Sequence, residues 1–457
     1  MKLKTIILAA GQGTRMKSSV PKVLHKLGGL ALLEHAVNLA ASLESEDTTV
    51  IYGYGGGRVP AELGYLNASW VEQREQLGTG HAVMQVADSI RDDQTVLILY
   101  GDVPLLQKTT AENLLARIVE NNLVLLTVEL EDPFGYGRIV RNPSNNRIER
   151  IVEEKDASED EKRLTEVNTG IVAVQGNLLK KWLSELKNDN AQGEYYLTDI
   201  IALAVRQGRR VESVQASGKD EVLGVNDRVQ LACLERVFQK QQAVVLMAAG
   251  VTLKDPERFD LRGQIVSFGQ DVEIDIDVIL EGRISLGENV RIASHCVIKN
   301  TSIGDNVEIL SHSVIEGAVI GDSSRIGPFA RIRSDTDIRD HVHVGNFVEI
   351  KKSSIDSGSK VNHLSYIGDT TIGSRVNIGA GTITCNYDGA NKYGTVIEDE
   401  VFVGSDTQLV APVTLRKGSM IGAGSTITKD TPEDQLTLSR SEQYTIKGWV
   451  RPTKRSS

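Results

Sequence analysis

Two hydrophobic rhythms divide the chain. From Val272 to Asp430 an aliphatic residue returns about every six positions: Ile274, Leu280, Leu286, Ile292, Ile298, then after a five-residue step Ile303, Ile309 and Ile315. The series runs on through Ile320, Ile326, Ile332, Ile338, Val344, Ile350, Ile355, Val361, Ile367, Ile372 and Ile378, and resumes from Ile397 to Ile427. A helix repeats about every 3.6 residues and a strand about every two, so neither alone gives this period. A solenoid does: three short strands per coil, each aliphatic side chain pointing into a prism whose core exists only by stacking. The five-residue steps at Ile303, Ile320, Ile355 and Ile372 fall one or two whole coils apart, which keeps every short step on one edge.

The first half reads as an α/β unit instead. Thr5-Ile-Ile-Leu-Ala9 is expected to be a buried strand, Ala10-Gly-Gln-Gly-Thr-Arg15 the loop after it, and Leu32 to Leu43 a helix. Further strands are expected near Thr49–Gly53, Thr95–Tyr100, Leu123–Val128, Arg138-Ile139, Ile151-Val152 and Glu166–Gly170. From Arg228 to about Ala249 apolar residues recur at helical spacing with charges on the remaining faces, which predicts a linker helix. The expected domains are 1–226, a helical linker over 227–249, and a solenoid over 250–457.

Composition narrows the partners. A net charge of -10 over 457 residues argues against nucleic acid or a membrane surface, so an anionic substrate must be held by a local cluster of cations. Three widely separated cysteines, Cys233, Cys296 and Cys385, argue against a disulfide framework and for a reducing, cytoplasmic setting. The apolar run at the N-terminus is too short for a signal peptide and meets a Gly-rich loop at once.

Strand, Gly-rich loop, basic residues and helix form the opening of a nucleotide-binding unit. The glycines let backbone N–H groups approach a phosphate, and Arg15 and Lys22 supply charge. Asp102 ends a buried strand, where α/β folds place their ligands, and beside a phosphate loop it reads as a magnesium ligand more readily than as a helix cap. In the solenoid, Arg333 follows Ile332 and Lys351 follows Ile350, so the two cations occupy adjacent rungs about 4.8 Å apart. That is unfavourable without an anion between them. The same register sets His363 one coil above Asn346 and one below Ala380, and Tyr366 above Glu349. Histidine changes charge near neutral pH, so His363 in this company is a candidate base. The coil series breaks between Thr384 and Ile397, which marks a projecting loop.

The stretch Leu8-Ala-Ala-Gly-x-Gly-Thr-Arg-Met with Pro21-Lys22 resembles the sugar-phosphate nucleotidyltransferases, and the six-residue repeat resembles the hexapeptide left-handed parallel β-helix family. With Gly345-Asn-Phe-Val-Glu-Ile-Lys-Lys, His363-Leu-Ser-Tyr-Ile-Gly-Asp and Asn377-Ile-Gly-Ala-Gly-Thr-Ile-Thr-Cys-Asn-Tyr, nearly the whole chain resembles the bifunctional bacterial N-acetylglucosamine-1-phosphate uridyltransferase/glucosamine-1-phosphate N-acetyltransferases. The implied fold is a Rossmann-like nucleotidyltransferase domain, a linker helix and a left-handed β-helix.

The resemblance implies roles residue by residue. Leu8, Ala9, Ala10, Gly11, Lys22, Gln73, Gly78, Thr79, Tyr100, Gly101 and Asp102 would bind the uridine nucleotide; Gly137, Glu153 and Asn168 the N-acetylglucosamine moiety; Asp102 and Asn226 a Mg²⁺ ion. Arg15 and Lys22 would stabilise the transferring phosphate. Arg333, Lys351, Tyr366 and Asn377 would bind glucosamine 1-phosphate, and His363 would act as base, with Glu349 helping to orient it. Ala380, Asn386, Tyr387, Ser405, Ala423 and Arg440 would contact acetyl-CoA. UTP and acetyl-CoA are the implied co-substrates and a homotrimer the implied assembly. One departure is Ser334-Asp335, where the family often has Pro-Gly; it bears on the aim of Arg333. Two other readings stay open: a one-activity sugar nucleotidyltransferase with an inert β-helix, which would lack the cation pair and His363, and a non-catalytic assembly subunit, which would lack Lys22 or Asp102.

Overall fold

Every residue of the first strand, β1 (Leu3–Ala9), is buried, as a strand in the middle of a parallel sheet requires, and the one charge in it, Lys4, is paired with Asp47. It belongs to a nine-stranded sheet with β2 (Asp47–Tyr52), β3 (Ser69–Glu72), β4 (Thr95–Tyr100), β5 (Asn122–Glu129), β6 (Arg138–Arg141), β7 (Ile148–Val152), β8 (Glu166–Gln175) and β9 (Arg210–Gln215). The order is β9-β5-β8-β4-β1-β2-β3, and the hairpin β6–β7 pairs onto β8. Pairings within the sheet are parallel except those of β8 with β4 and β5 and those of the β6–β7 hairpin. In-register pairing of Leu8 with Tyr100 brings the C-terminal ends of β1 and β4 together, so the loops after them share one crevice.

This computed structural model describes residues 2–119, 122–190 and 192–454. It divides into two units, Met1–Gln239 and Lys240–Ser457. The division falls inside the helix Arg228–Ala248, whose Leu234 packs in a cluster with Met16, Leu27 and Leu32, while Ala243 and Leu246 belong to the core of the second unit.

The second unit is a parallel β-helix of the left-handed hexapeptide class. An 11-stranded sheet forms one face of the prism, and a 17-stranded path winds over the other two. Rungs stack in register, as in Ile298 with Ile315, Ile315 with Ile332, Ile332 with Ile350 and Ile350 with Ile367. None of the aliphatic residues of the repeat is more than 4% exposed. Each full burial is worth about 1.5–3 kcal/mol, so the stack supplies the core that no single coil has. Some inward corner positions take Ser or Thr bonded to backbone: Ser324 Oγ donates to Arg339 O at 2.9 Å and Ser359 Oγ to Gly373 O at 2.7 Å. One outer corner carries His295, His312, Phe329 and Phe347, all left-handed (φ 60, 62, 55 and 56), with their rings stacked at 4.8, 4.8 and 5.2 Å.

Candidate active sites

In the first unit the loops after β1 and β4 line a cavity of about 470 Å3. Its walls include Leu8, Ala9, Ala10, Gly11, Lys22, Gln73, Gly78, Thr79, Tyr100 and Asp102, ten of the residues expected from the sequence. A second cavity of about 390 Å3 shares Thr79, Tyr100 and Glu194 with it and contains Gly137, Glu153 and Asn168. The nucleotide-side and sugar-side expectations therefore fall on two adjoining hollows.

Three expected residues line neither cavity. Arg15 is exposed in the single turn Thr14–Met16. Gly101 is buried, and a Cβ there would meet Leu33 and Ala9 at 3.1 and 3.3 Å, so it serves the packing behind the wall. Asn226 accepts from Lys22 Nζ through Oδ1 at 3.3 Å. Sequence reasoning missed Gln12 and Gln76 on the nucleotide side and Tyr136, Tyr196 and Thr198 on the sugar side.

The walls are held by short bonds between distant segments. Gly78, before the short helix Thr79–Met84, has φ 106, and a Cβ there would meet Tyr195 O and N at 2.6 and 2.9 Å, so only glycine fits. Thr79 Oγ1 accepts from Leu197 N–H at 3.1 Å, tying the nucleotide-side loop to the strap over the sugar side. Gln73 is buried; its Nε2 donates to Gly78 O at 3.1 Å and lies 3.1 Å from His81 Nδ1. It is thus engaged inside the wall rather than extended into the hollow.

Lys22 forms an ion pair with Asp102 and reaches Asn226 as well. One cation therefore already bridges the carboxylate and the amide oxygen expected to hold Mg²⁺. Two converging oxygen donors suit an ion that keeps several waters and takes the rest of its ligands from substrate phosphates. Among the described residues no group of three or more His, Cys, Asp or Glu could hold a metal, so a site built wholly of protein ligands is not an alternative within that set. On the sugar side, burial pushes the Glu153 carboxyl up, against the Thr198 hydroxyl that donates to it at 3.1 Å; Asp199 and Asp156 push it further.

In the second unit His363 ends the strand Lys360–His363 and pairs in register with Asn346. Its Nδ1 lies 3.0 Å from Asn346 Oδ1. An amide oxygen only accepts, so Nδ1 carries the proton and Nε2 is left with the free lone pair. Glu349, expected to help orient His363, accepts from Arg333 Nη1 at 2.8 Å, while its register partner on the coil below, Arg331, bonds Glu316. The side-chain contact that His363 makes is with Asn346. Arg333 and Lys351 do lie on adjacent rungs, and Tyr366 pairs with Glu349. Asp335 takes the left-handed corner at φ 62, so the turn after Arg333 is made without glycine.

The projecting loop adds a cation that the repeat could not reveal. It leaves after Ile383–Cys385, returns at Thr395–Ile397, and is closed by a bridge between Tyr387 and Lys392. Lys392 comes against Lys351, and the second ammonium holds the Lys392 pKa below the ordinary lysine value. Three cations thus gather near the rung of Tyr366. Above His363, Ala380, Ser405 and Ala423 follow at equivalent positions on successive coils, and Arg440 Nη1 donates to Ala423 O at 2.9 Å. Beside this track Asn377, Phe402, Met420 and Leu436 stack outward. Asn386 does not join it: the side chain is buried and hydrogen-bonds Asp369, while Tyr387 is exposed and donates to Gly389 O at 2.6 Å.

Residues 5–164 match the family described as MobA-like NTP transferase domain, and residues 263–344 the GMPPB C-terminal domain. Three relatives are each described as bifunctional protein GlmU. The one from Methylococcus capsulatus is 61% identical, that from Thiobacillus denitrificans 57% and that from Nitrosospira multiformis 54%; each match covers 99% of this chain and 98% of the relative.

Proposed function

Because the chain belongs to the family of bifunctional GlmU proteins, we propose that it makes UDP-N-acetylglucosamine in two steps, acetylating glucosamine 1-phosphate in the second unit and uridylylating the product in the first. The observation that carries the reading is that one chain holds both a nucleotide-sized hollow with Lys22 and Asp102 at its edge and a histidine oriented for base chemistry beside a cation cluster.

In acetyl transfer, Arg333, Lys351 and Lys392 take the phosphate of the sugar, with Tyr366 and Asn377 alongside. His363 Nε2 removes a proton from the 2-amine as its nitrogen attacks the thioester carbonyl of acetyl-CoA. The C–S bond then breaks, and the sulfur takes that proton from His363 so that coenzyme A leaves as the thiol. The track of Ala380, Ser405 and Ala423, with Arg440 beside Ala423, suits an extended pantetheine arm because these three positions carry small side chains. Asn386 and Tyr387 belong to a loop that projects from the prism, which favours service to a neighbouring copy in a homotrimer; light scattering checks this by a mass three times that of the chain.

In uridylyl transfer, a phosphate oxygen of N-acetylglucosamine 1-phosphate attacks the α-phosphorus of UTP, and the bond to the β-phosphate breaks to release pyrophosphate. The attacking phosphate is already ionised near neutral pH, so positioning and charge neutralisation carry the step rather than a strong base. Lys22 and Arg15 neutralise the phosphates, Gly137, Glu153 and Asn168 hold the sugar, and Asp102 with Asn226 would hold Mg²⁺. That ion would supply Lewis-acid charge at the phosphates. We assign the protein to the cytoplasm, with its three cysteines unpaired.

The deciding experiment supplies glucosamine 1-phosphate, acetyl-CoA, UTP and Mg²⁺ and follows thiol and pyrophosphate separately. Release of both, with pyrophosphate dependent on acetyl-CoA, is expected. Absence of thiol release removes the second activity.

A further inference from the structure

Behind the sugar-side cavity lies a charge that the chemistry above does not use. Arg138, the first residue of β6, is 2% exposed. Taking a guanidinium out of water is unfavourable unless its donors are met, so its bonds show what it is there to hold. Nη2 donates to Glu154 Oε2 at 2.7 Å and, at the longer distance of 3.5 Å, to Lys162 O; Nη1 donates to the backbone carbonyl of Tyr136, and Nε has no partner among the described residues. Glu154 Oε2 also accepts from Gly135 N–H at 3.2 Å. A single ion pair thus grips two consecutive residues of the Gly135–Gly137 turn. The third is held through its carbonyl, which accepts from Asn168 N–H at 2.8 Å. This turn, Glu153 and Asn168 are walls of the same cavity of about 390 Å3.

We propose that Arg138 is a positioning residue for sugar-phosphate binding, and that with Glu154 it holds the Gly135–Gly137 turn in the shape the sugar ring needs. The inference rests on the reading of this cavity as the sugar subsite. A hydrophobic side chain of similar volume would fill the space at less desolvation cost, but it would leave Tyr136 O unbonded and release Glu154 from Gly135. The charge sits where a backbone turn must keep one geometry: Arg138 holds Tyr136 O and Glu154, and Glu154 holds Gly135 N–H.

The test compares Arg138→Met, Glu154→Gln and the double variant in the full chain. Pyrophosphate release is followed against each substrate in turn, and thiol release in the same samples reports the integrity of the second unit. Arg138→Met is expected to raise KM for N-acetylglucosamine 1-phosphate about tenfold while KM for UTP moves by less than about twofold. Glu154→Gln removes a partly exposed carboxylate, so it keeps the question open to measurement if Arg138→Met does not fold. The same split is expected of it, and the double variant should be no worse than Arg138→Met, since both substitutions break one unit. Equal effects on the two substrates, or an unchanged sugar KM, overturn the role of Arg138 while leaving the subsite reading intact. A wild-type protein that releases no pyrophosphate overturns both.

Discussion

His363 shows how much a single hydrogen bond decides. Its place one coil above Asn346 follows from counting, but the choice between Asn346 and Glu349 as its partner does not, because both lie within one rung of it. The bond to Asn346 Oδ1 selects the tautomer with Nε2 free. Removing that base should act on one reaction only. His363→Ala is expected to lower thiol release by about a hundredfold or more, in the range typical of a lost general base, and to spare pyrophosphate release from N-acetylglucosamine 1-phosphate. Asp102→Ala should do the reverse. If either folded variant lost both activities in assays of each step, the assignment of two separate centres would be wrong. Glu153 makes a different prediction. Because burial raises its pKa, the folded chain binds that proton more tightly than the unfolded chain does. Its contribution to stability is therefore present below the ordinary carboxyl range and lost as pH rises through the raised value. Glu153→Gln keeps an oxygen for the Thr198 hydroxyl and removes the buried charge, so the first unit should melt at a higher temperature at neutral pH. Thermal unfolding of both proteins across pH checks this, and a lower neutral-pH midpoint for the variant contradicts it.

At the scale of elements, the coil stack turns sequence period into the spacing of side chains. Arg333, Lys351, His363 and Tyr366 are placed on neighbouring coils because each stands at a fixed count from an inward aliphatic, and the core holds that count to the rung. Gly345 tests the point. A Cβ there would meet Asn362 O at 2.0 Å, a backbone atom of the next coil that cannot rotate away. Gly345→Ala should spread the rungs beside Asn346 and His363, lowering thiol release by about tenfold or more while pyrophosphate release holds. Normal thiol release by that variant would show that the site tolerates a displaced rung. The loop that carries Lys392 lies outside the repeat. Its path depends on turns at Asp388, whose Oδ1 accepts from Ala390 and Asn391 N–H at 2.8 and 2.7 Å. No periodicity announces where such a loop folds back, which is why a third cation near Lys351 was not legible.

For the molecule as a whole, the two units have separate cores and, on the reading above, separate chemistry. The pair Asp102 and Asn226 that would hold Mg²⁺ belongs to the first unit alone. Chelation of Mg²⁺ should therefore stop pyrophosphate release and leave thiol release within about twofold of its starting value. Loss of both on chelation would require a metal role in acetyl transfer as well. The unit boundary itself lies inside one helix, so an apolar pattern at helical spacing located the connection but not the residue at which one core gives way to the other.

Local rules reach a long way here. A strand followed by a Gly-rich loop, an acid at a strand end, and a six-residue aliphatic period depend on neighbours in sequence or on a fixed repeat, so the two architectures and most wall residues could be read from the chain by itself. Other features come from contacts between segments far apart in sequence: the Lys22 ammonium between Asp102 and Asn226, Gln73 turned into its own wall, the exposed position of Arg15, and Arg138 gripping a turn through Glu154. These are set by which side chains meet once the core has formed, and a buried polar group takes whichever partner then lies within reach. Sequence determined which segments carry the candidate residues, because strand ends, Gly-rich loops and repeat counts are local. Tertiary structure decided which group holds which.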